Sequence, residues 1–244
     1  MRIVGTENAW FSFKGQRNDV LDVRMISMPT RPHPARKGEL LDIPGRHGKV
    51  FQDEGVYDRI LVTIRVMAAD NANIDDISAW LTGEGDLVFG DEPERAYHAR
   101  ITKEFSRSNR IVRLRGQEFT ITFDCEPFRY ESFPVSPITI TASGTSIVNP
   151  GTWESQPLIR VNGTGDGTLM IGGNTLIFND LAGYINVDCD AMIAYTGGSS
   201  ASDPMLLATQ HLTGEWPTIK PGQDFVTFTG GITSVVITPR WRWI

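Results

Sequence analysis

Asp42–Met67, DIPGRHGKVFQDEGVYDRILVTIRVM, decides how the chain is read. It opens with a turn at Pro44–Gly45 and a second glycine at Gly48. It continues through a short polar strand, breaks at Asp53–Gly55 and closes in an alternating run. Ile60, Val62, Ile64 and Val66 fall on one side of that run; Arg59, Thr63 and Arg65 fall on the other. A period of two with β-branched residues predicts a half-buried strand. The stretch therefore reads as a hairpin arm feeding a sheet. Nothing in it is suited to act as a nucleophile, cradle a phosphate or hold a metal. Its chemistry is backbone pairing and packing, so the chain reads first as a structural or interaction protein.

Upstream, a short strand is expected at Arg2–Val4, followed by the aromatic cluster Trp10, Phe11 and Phe13 and a strand over Val20–Met28. In PTRPHPARKG (29–38), Pro29, Pro32 and Pro34 force an extended path with few ladder donors. Lys, Arg and His side chains crowd 31–37, as on a solvated loop or on a polar arm that touches a neighbouring subunit. Downstream, Asn73 caps a helix over 73–82, with Asp75 and Asp76 in its first turn, where they suit the dipole. Ile74, Ile77 and Leu81 share a face that Trp80 adjoins, and Gly83 ends the helix. Strands follow at Asp86–Phe89, Tyr97–Lys103, Arg110–Arg115 and Glu118–Cys125, with turns at Gly90–Pro93 and Ser106–Asn109.

The whole chain has 244 residues, enough for one large all-β domain or two ordinary ones. Its 40% hydrophobic and 21% charged residues are those of a soluble globular protein. A net charge of −6 argues against a broad nucleic-acid or anionic-membrane surface. No apolar run approaches the ~20 residues of a membrane span, and the first ten residues do not resemble a secretory signal. Cys125 and Cys189 sit in strand contexts and are expected as buried free thiols.

Charge falls sharply after Tyr130. Residues 134–244 hold four Lys/Arg and eight Asp/Glu, leaving 19 and 21 for residues 1–133. Pro127, Pro134 and Pro137 straddle that change. A domain boundary is expected there, giving domains 1–133 and 134–244. Short strands dominate the second half: Ile138–Thr141, Leu158–Asn162, Thr168–Ile171, Asn174–Phe178, Tyr184–Asp188, Ala191–Tyr195, Asp224–Thr229 and Ser234–Trp241. Glycine-rich turns are expected between them at Gly163–Gly167, Gly172–Gly173, Gly197–Gly198 and Gly230–Gly231, as in a sandwich.

Catalytic and metal signatures are missing. His33, His47, His98 and His211 are isolated, without a second His or Cys at ligand spacing. Asp188 and Asp190 flank Cys189 without a calcium-loop pattern and read as solvated carboxylates at a strand end. GTGDG (163–167) lacks the lysine and following helix of a phosphate loop and reads as a hairpin turn. The acidic pairs Glu92/Glu94 and Asp53/Glu54 lie in turns rather than across a cleft. For Trp241-Arg242-Trp243, an amphipathic last strand with one tryptophan buried is expected. No catalytic residue, metal ligand or cofactor is expected.

The ordered series of features resembles the distal tail (Dit) proteins of siphophages, components of the tail-tip or baseplate hub. It comprises IPGRHG (43–48), the strand Tyr57–Met67, the helix ending AWLTG (79–83) and LVFGDEPERAYHARI (87–101). FTITFDCEPFRYES (119–132) resembles that family's joint between domains. NPGTWESQPLIRVNGTGDGTLMIGG (149–173), INVDCDAMIAY (185–195), WPTIKPG (216–222) and TPRWRW (238–243) complete the series over nearly the whole chain.

The resemblance implies a mainly β fold. Its first part would be an N-terminal β-sandwich or tail-tube-like domain with a long hairpin arm and one helix, forming a hexameric ring. A C-terminal galectin-like β-sandwich would stand outside the ring. It implies a non-enzymatic hub in the virion tail tip, assembled in the bacterial cytoplasm, whose partners are its own copies, the tail tube, the tape-measure protein and tail-fibre or receptor-binding proteins. DNA would pass the ring without specific binding, and no membrane is involved. Pro44, Gly45, Arg46, His47, Gly48, Trp80 and Leu81 are the candidate subunit contacts. The alternative is a carbohydrate-binding module for a host surface glycan, with Trp153, Trp216, Trp241 and Trp243 as its aromatic platform.

Overall fold

The computed structural model describes residues 9–101, 116–198 and 203–244. The expected strands Arg2–Val4 and Arg110–Arg115, and the turn Ser106–Asn109, lie outside them. The fold is mainly β. It divides into two compact units, one ending at Ser132 and also holding Ile244, the other Phe133–Trp243.

In the first unit the strands are β1 (Phe11–Phe13), β2 (Gln16–Arg17), β3 (Val23–Met25), β4 (Arg36–Leu41), β5 (Val50–Tyr57) and β6 (Ile60–Ala69). After the helix α1 (Ile74–Trp80) come β7 (Glu84–Phe89), β8 (Glu92–Ile101) and β9 (Gly116–Glu131). Seven of them form one antiparallel sheet in the order β2-β1-β7-β8-β9-β6-β3, while β4 and β5 pair only with each other. The alternation read in the sequence is the burial pattern of β6. Ile60, Val62, Ile64 and Val66 are buried and face Cys125, Phe123, Ile121 and Phe119 of β9.

The sheet curls over its own core. β1 and β9 stand three positions apart in the order, about 14 Å in a flat sheet. Yet the Phe13 and Phe123 rings meet at 5.1 Å and the Phe11 and Phe123 rings at 6.2 Å. Helix α1 closes one side of the core. Asn73 caps it by accepting from Asp75 N at 3.1 Å, as expected. The strand expected over Val20–Met28 is shorter. Asn18–Leu21 form a 3₁₀ turn because buried Asn18 accepts from Phe11 N at 2.8 Å and donates to Val23 O at 2.7 Å.

In the second unit the strands are β10 (Ile138–Ile140), β11 (Thr145–Asn149), β12 (Leu158–Ile171), β13 (Asn174–Asp188), β14 (Ile193–Thr196), β15 (Leu206–Leu207), β16 (Leu212–Gly214) and β17 (Gly222–Thr238). The expected turns at Gly163–Gly167 and Gly230–Gly231 are instead bends inside β12 and β17. The chain continues in the same direction, and the pairing register shifts between Asn162 and Gly167. These glycines are needed for close approach: a Cβ on Gly231 would overlap the Thr164 carbonyl oxygen.

The bends make a sandwich from three long strands. The first half of β12 and the second halves of β13 and β17 form one layer with β10, β14 and β15. The other halves form the opposing layer with β11 and β16. Ile159, Val161, Leu169, Ile171, Phe178, Val187, Val226 and Val235 fill the space between. Cys189 belongs to this core and Cys125 to that of the first unit. Both are free, and burial pushes each thiol up to about 12.

Candidate assembly surface

The arm is built by β4 and β5, with Leu40 opposite Phe51, Leu41 opposite Val50 and Glu39 opposite Gln52. Its base is tied down. Asp58 N donates to Ala35 O at 2.9 Å, Pro34 is buried, and the Arg36 guanidinium lies 4.6 Å from the Tyr57 ring centroid. Arg31 is ion-paired to Asp91 and lies 5.1 Å from the Phe89 ring centroid. Of the basic side chains in 31–37, Arg31 is therefore an anchor rather than a solvated charge. Along the strands, Arg36 pairs with Asp53 at 3.7 Å and Lys37 with Glu54 at 3.1 Å; this contact raises the Lys37 pKa.

Beyond its base the arm has no core. No residue between Ala35 and Arg59 belongs to the unit's buried cluster. Leu40 (62% exposed), Phe51 (46%) and Val56 (50%) stand in solvent, with Leu41 and Ile43 beside them. An isolated two-stranded hairpin is marginal in water, and this one adds five large apolar side chains to the surface. Sequence reasoning took the arm as polar. The signal it passed over is Leu40-Leu41-Asp42-Ile43 inside a charged stretch.

The tip residues Pro44, Gly45, Arg46, His47 and Gly48 are all exposed, and a turn is closed by Arg46 N donating to Ile43 O at 3.1 Å. Gly45 has φ +81°, a left-handed conformation that any Cβ would strain. Trp80 and Leu81, the other candidate contacts, are in a different position. Trp80 is 7% and Leu81 2% exposed. The Trp80 ring stacks on Phe11 at 5.5 Å, and its Nε1 donates to Phe13 O at 2.9 Å. Both residues are committed to their own core and offer no surface to a second subunit.

The tryptophans of the alternative reading are also largely committed. Trp241 and Trp243 are both core residues, not one of the two, because Trp153 and Arg242 form a bridge that folds the last residues onto the sandwich. Trp216 packs partly against the same core, and Trp153 is half-buried. The four do not form an exposed platform. Asp188 is largely withdrawn from solvent and ion-paired to Arg240, whereas Asp190 stays exposed, as expected, and also pairs with Arg242 at 2.8 Å. The acidic pairs expected in turns lie instead in strands, Asp53 and Glu54 in β5 and Glu92 and Glu94 in β8, and Glu92 is held by Arg129 at 2.5 Å. Among the described residues no group of three or more acidic, His or Cys side chains is placed to hold a metal.

One further charge cluster lies in the first unit. Asp124 accepts from Arg59 Nε and Arg100 Nε, both at 2.9 Å. Burial pushes its carboxyl up, but the two guanidinium groups outweigh this and hold it below the usual range. Both guanidinium groups are engaged by this carboxylate and remain partly exposed.

No protein-family profile matches the sequence, and no curated protein matches it significantly. Solved structures do. The chain is similar to the SPP1 Dit protein, described as a paradigm of the hub adsorption apparatus in phages infecting Gram-positive bacteria. The TM-score is 0.69 at 16% identity, over 96% of this chain and 99% of that one. It is also similar to a chain of the phage P2 baseplate in its activated conformation with calcium, at TM-score 0.50 and 10% identity, over 90% of each chain. At these identities the likeness establishes the fold, which is the one the sequence resemblance implied.

Proposed function

We propose that this chain is a structural hub of a phage tail tip. In this reading it assembles with copies of itself into a closed ring through residues 1–133, hexameric by analogy with the distal tail proteins it resembles. It joins the tail tube and tape-measure protein to the tail-fibre or receptor-binding parts, and residues 134–244 form a separate sandwich domain. Its sites are interfaces rather than catalytic centres, and its place is the virion tail tip. The likeness of fold to hub and baseplate proteins supports the role.

The observation that carries self-association is the arm. It exposes a two-stranded edge and five large apolar side chains without a core of its own. Such an edge is a liability unless it is paired. A heterologous contact that closes by rotation covers every arm with the same surface of the next copy. An acidic ring would let duplex DNA pass without binding it, since affinity for DNA needs Lys/Arg contacts to phosphate. Negative-stain electron microscopy of the purified full-length protein, alone and with tail-tube protein, tests the reading. Rings are expected, and separate monomers under both conditions would overturn it.

A further inference from the structure

The outer faces of the two sandwich layers differ in chemistry. On the layer holding β11 and β16, Val148, Met170, Ile177 and Phe225 are exposed among threonines. On the other layer, register brings a mostly polar set together, with Val236 and exposed Leu207 as its apolar members. Thr139, Val236, Arg160, Asn186, Tyr195 and Leu207 are successive cross-strand partners on β10, β17, β12, β13, β14 and β15. Ser234, Asn162 and Tyr184 form the adjoining row. Ile140, Val161, Val187 and Ala194, next to these residues on their strands, are buried, so both rows point outward.

The side chains of this face are already arranged. Arg160 Nε donates to Asn162 Oδ1 at 3.3 Å, and Asn162 Nδ2 donates to Ser234 Oγ at 3.0 Å. The Arg160 guanidinium lies 3.9 Å from the Tyr184 ring centroid. Tyr184 OH accepts from Gly197 N at 3.1 Å, which leaves its own hydrogen to donate. Asn162, Tyr184, Asn186, Tyr195 and Ser234 are half-buried, which limits the rotamer freedom a ligand would have to remove.

The electrostatics are one-sided. Arg160 is the only charged residue of the two rows, and among the described residues it has no carboxylate partner. The carboxylate in the row beyond, Asp188, is held by Arg240 through both oxygens. A planar guanidinium with unused donors suits a carboxylate. The amides, hydroxyls and tyrosine rings around it suit vicinal hydroxyls and the C–H faces of sugar rings.

We propose that the face carrying Arg160, Asn162, Tyr184, Asn186, Tyr195 and Ser234 binds a glycan bearing a carboxylate. The site is distinct from the four tryptophans, and it does not depend on ring assembly. The Arg160 guanidinium pairs with the carboxylate, Asn162 and Asn186 meet ring hydroxyls, and the tyrosines pack against ring faces.

The test uses the full-length chain on an immobilised panel. The panel holds uronic-acid and sialic-acid oligosaccharides, their neutral methyl esters and glycerol-phosphate oligomers. Saturable binding to one or more of the carboxylated oligosaccharides is expected. Esterification should abolish it, and Arg160→Met or Asn186→Ala should each weaken it at least tenfold. Arg160 is exposed, so its variant should keep the parent's melting curve; an unfolded Arg160→Met leaves Asn186→Ala to give the same reading. No binding to any carboxylated oligosaccharide, equal binding to the esters, binding to glycerol phosphate alone, or undiminished binding in a folded variant overturns the proposal.

Discussion

Arg240 grips Asp188 at two points: Nη1 donates to Oδ1 at 2.7 Å and Nη2 to Oδ2 at 2.9 Å. The contact ties the end of β13 to the residues that follow β17. Backbone N–H groups of Asp190 and Ala191 donate to the same carboxylate. The Arg240 hydrogen bonds, against a smaller opposing effect of burial, hold the Asp188 pKa below its ordinary value. A depressed aspartate pKa contributes stability that is complete above about pH 4, the unfolded value, and is lost as pH falls through the lower folded one. Arg240→Met should therefore cost about 1–2 kcal/mol at pH 7, as a part-exposed charged hydrogen bond would. Denaturant titrations of both proteins at pH 7 and near pH 2 should show the gap narrowing in acid. A gap independent of pH would refute the linkage.

The first unit should be sensitive to its helix. Trp80→Ala removes a ring stacked on Phe11 and strands the Phe13 carbonyl, at a cost of about 3–5 kcal/mol. Chemical denaturation of the full-length protein checks this. A loss under about 1 kcal/mol would mean that Trp80 is not the core residue described.

Cys125 and Cys189 should be slow toward thiol reagents at pH 8, because burial pushes both thiols up to about 12. Reaction with a coloured disulfide reagent should report two slow thiols in native protein and two fast ones after unfolding. A fast native thiol would show that one of the two cores opens readily.

The bend in β17 should tolerate no side chain at Gly231. Alanine there pushes a Cβ into the Thr164 carbonyl, and overpacking of this kind costs about 1–3 kcal/mol. Thermal melting of Gly231→Ala measures it, and an unchanged melting temperature would show that the bend can relax.

What the sequence made legible was local. The alternation in β6 and the Asn73 cap are set by neighbours within a few residues, and both stand as read. The long strands β12, β13 and β17 were cut into pieces because glycine marks a bend and a turn alike. Only pairing on both sides of the break tells them apart, and that pairing is non-local. Trp80 and Leu81 are expected from the sequence as subunit contacts, and only one of Trp241 and Trp243 as buried, because an aromatic near the end of an element can face either way. Their burial depends on Phe11 and Phe13, or on the bridge from Trp153 to Arg242, which are distant in sequence. The polar face at Arg160 left one local trace, Arg160 and Asn162 two residues apart on a strand; its other members arrive from β13, β14 and β17.

The most direct test of the central claim is the solution mass of the full-length protein against a variant whose residues 36–57 are replaced by a short Gly-Ser linker. Multi-angle light scattering over a wide concentration range would read both. The arm adds nothing to the buried core, so the variant should still unfold cooperatively near the parent's melting temperature. The account predicts a mass that rises to a closed multiple of 27.1 kDa for the parent and stays at one chain for the variant. A parent that remains monomeric throughout, or an armless variant that assembles as the parent does, would contradict it.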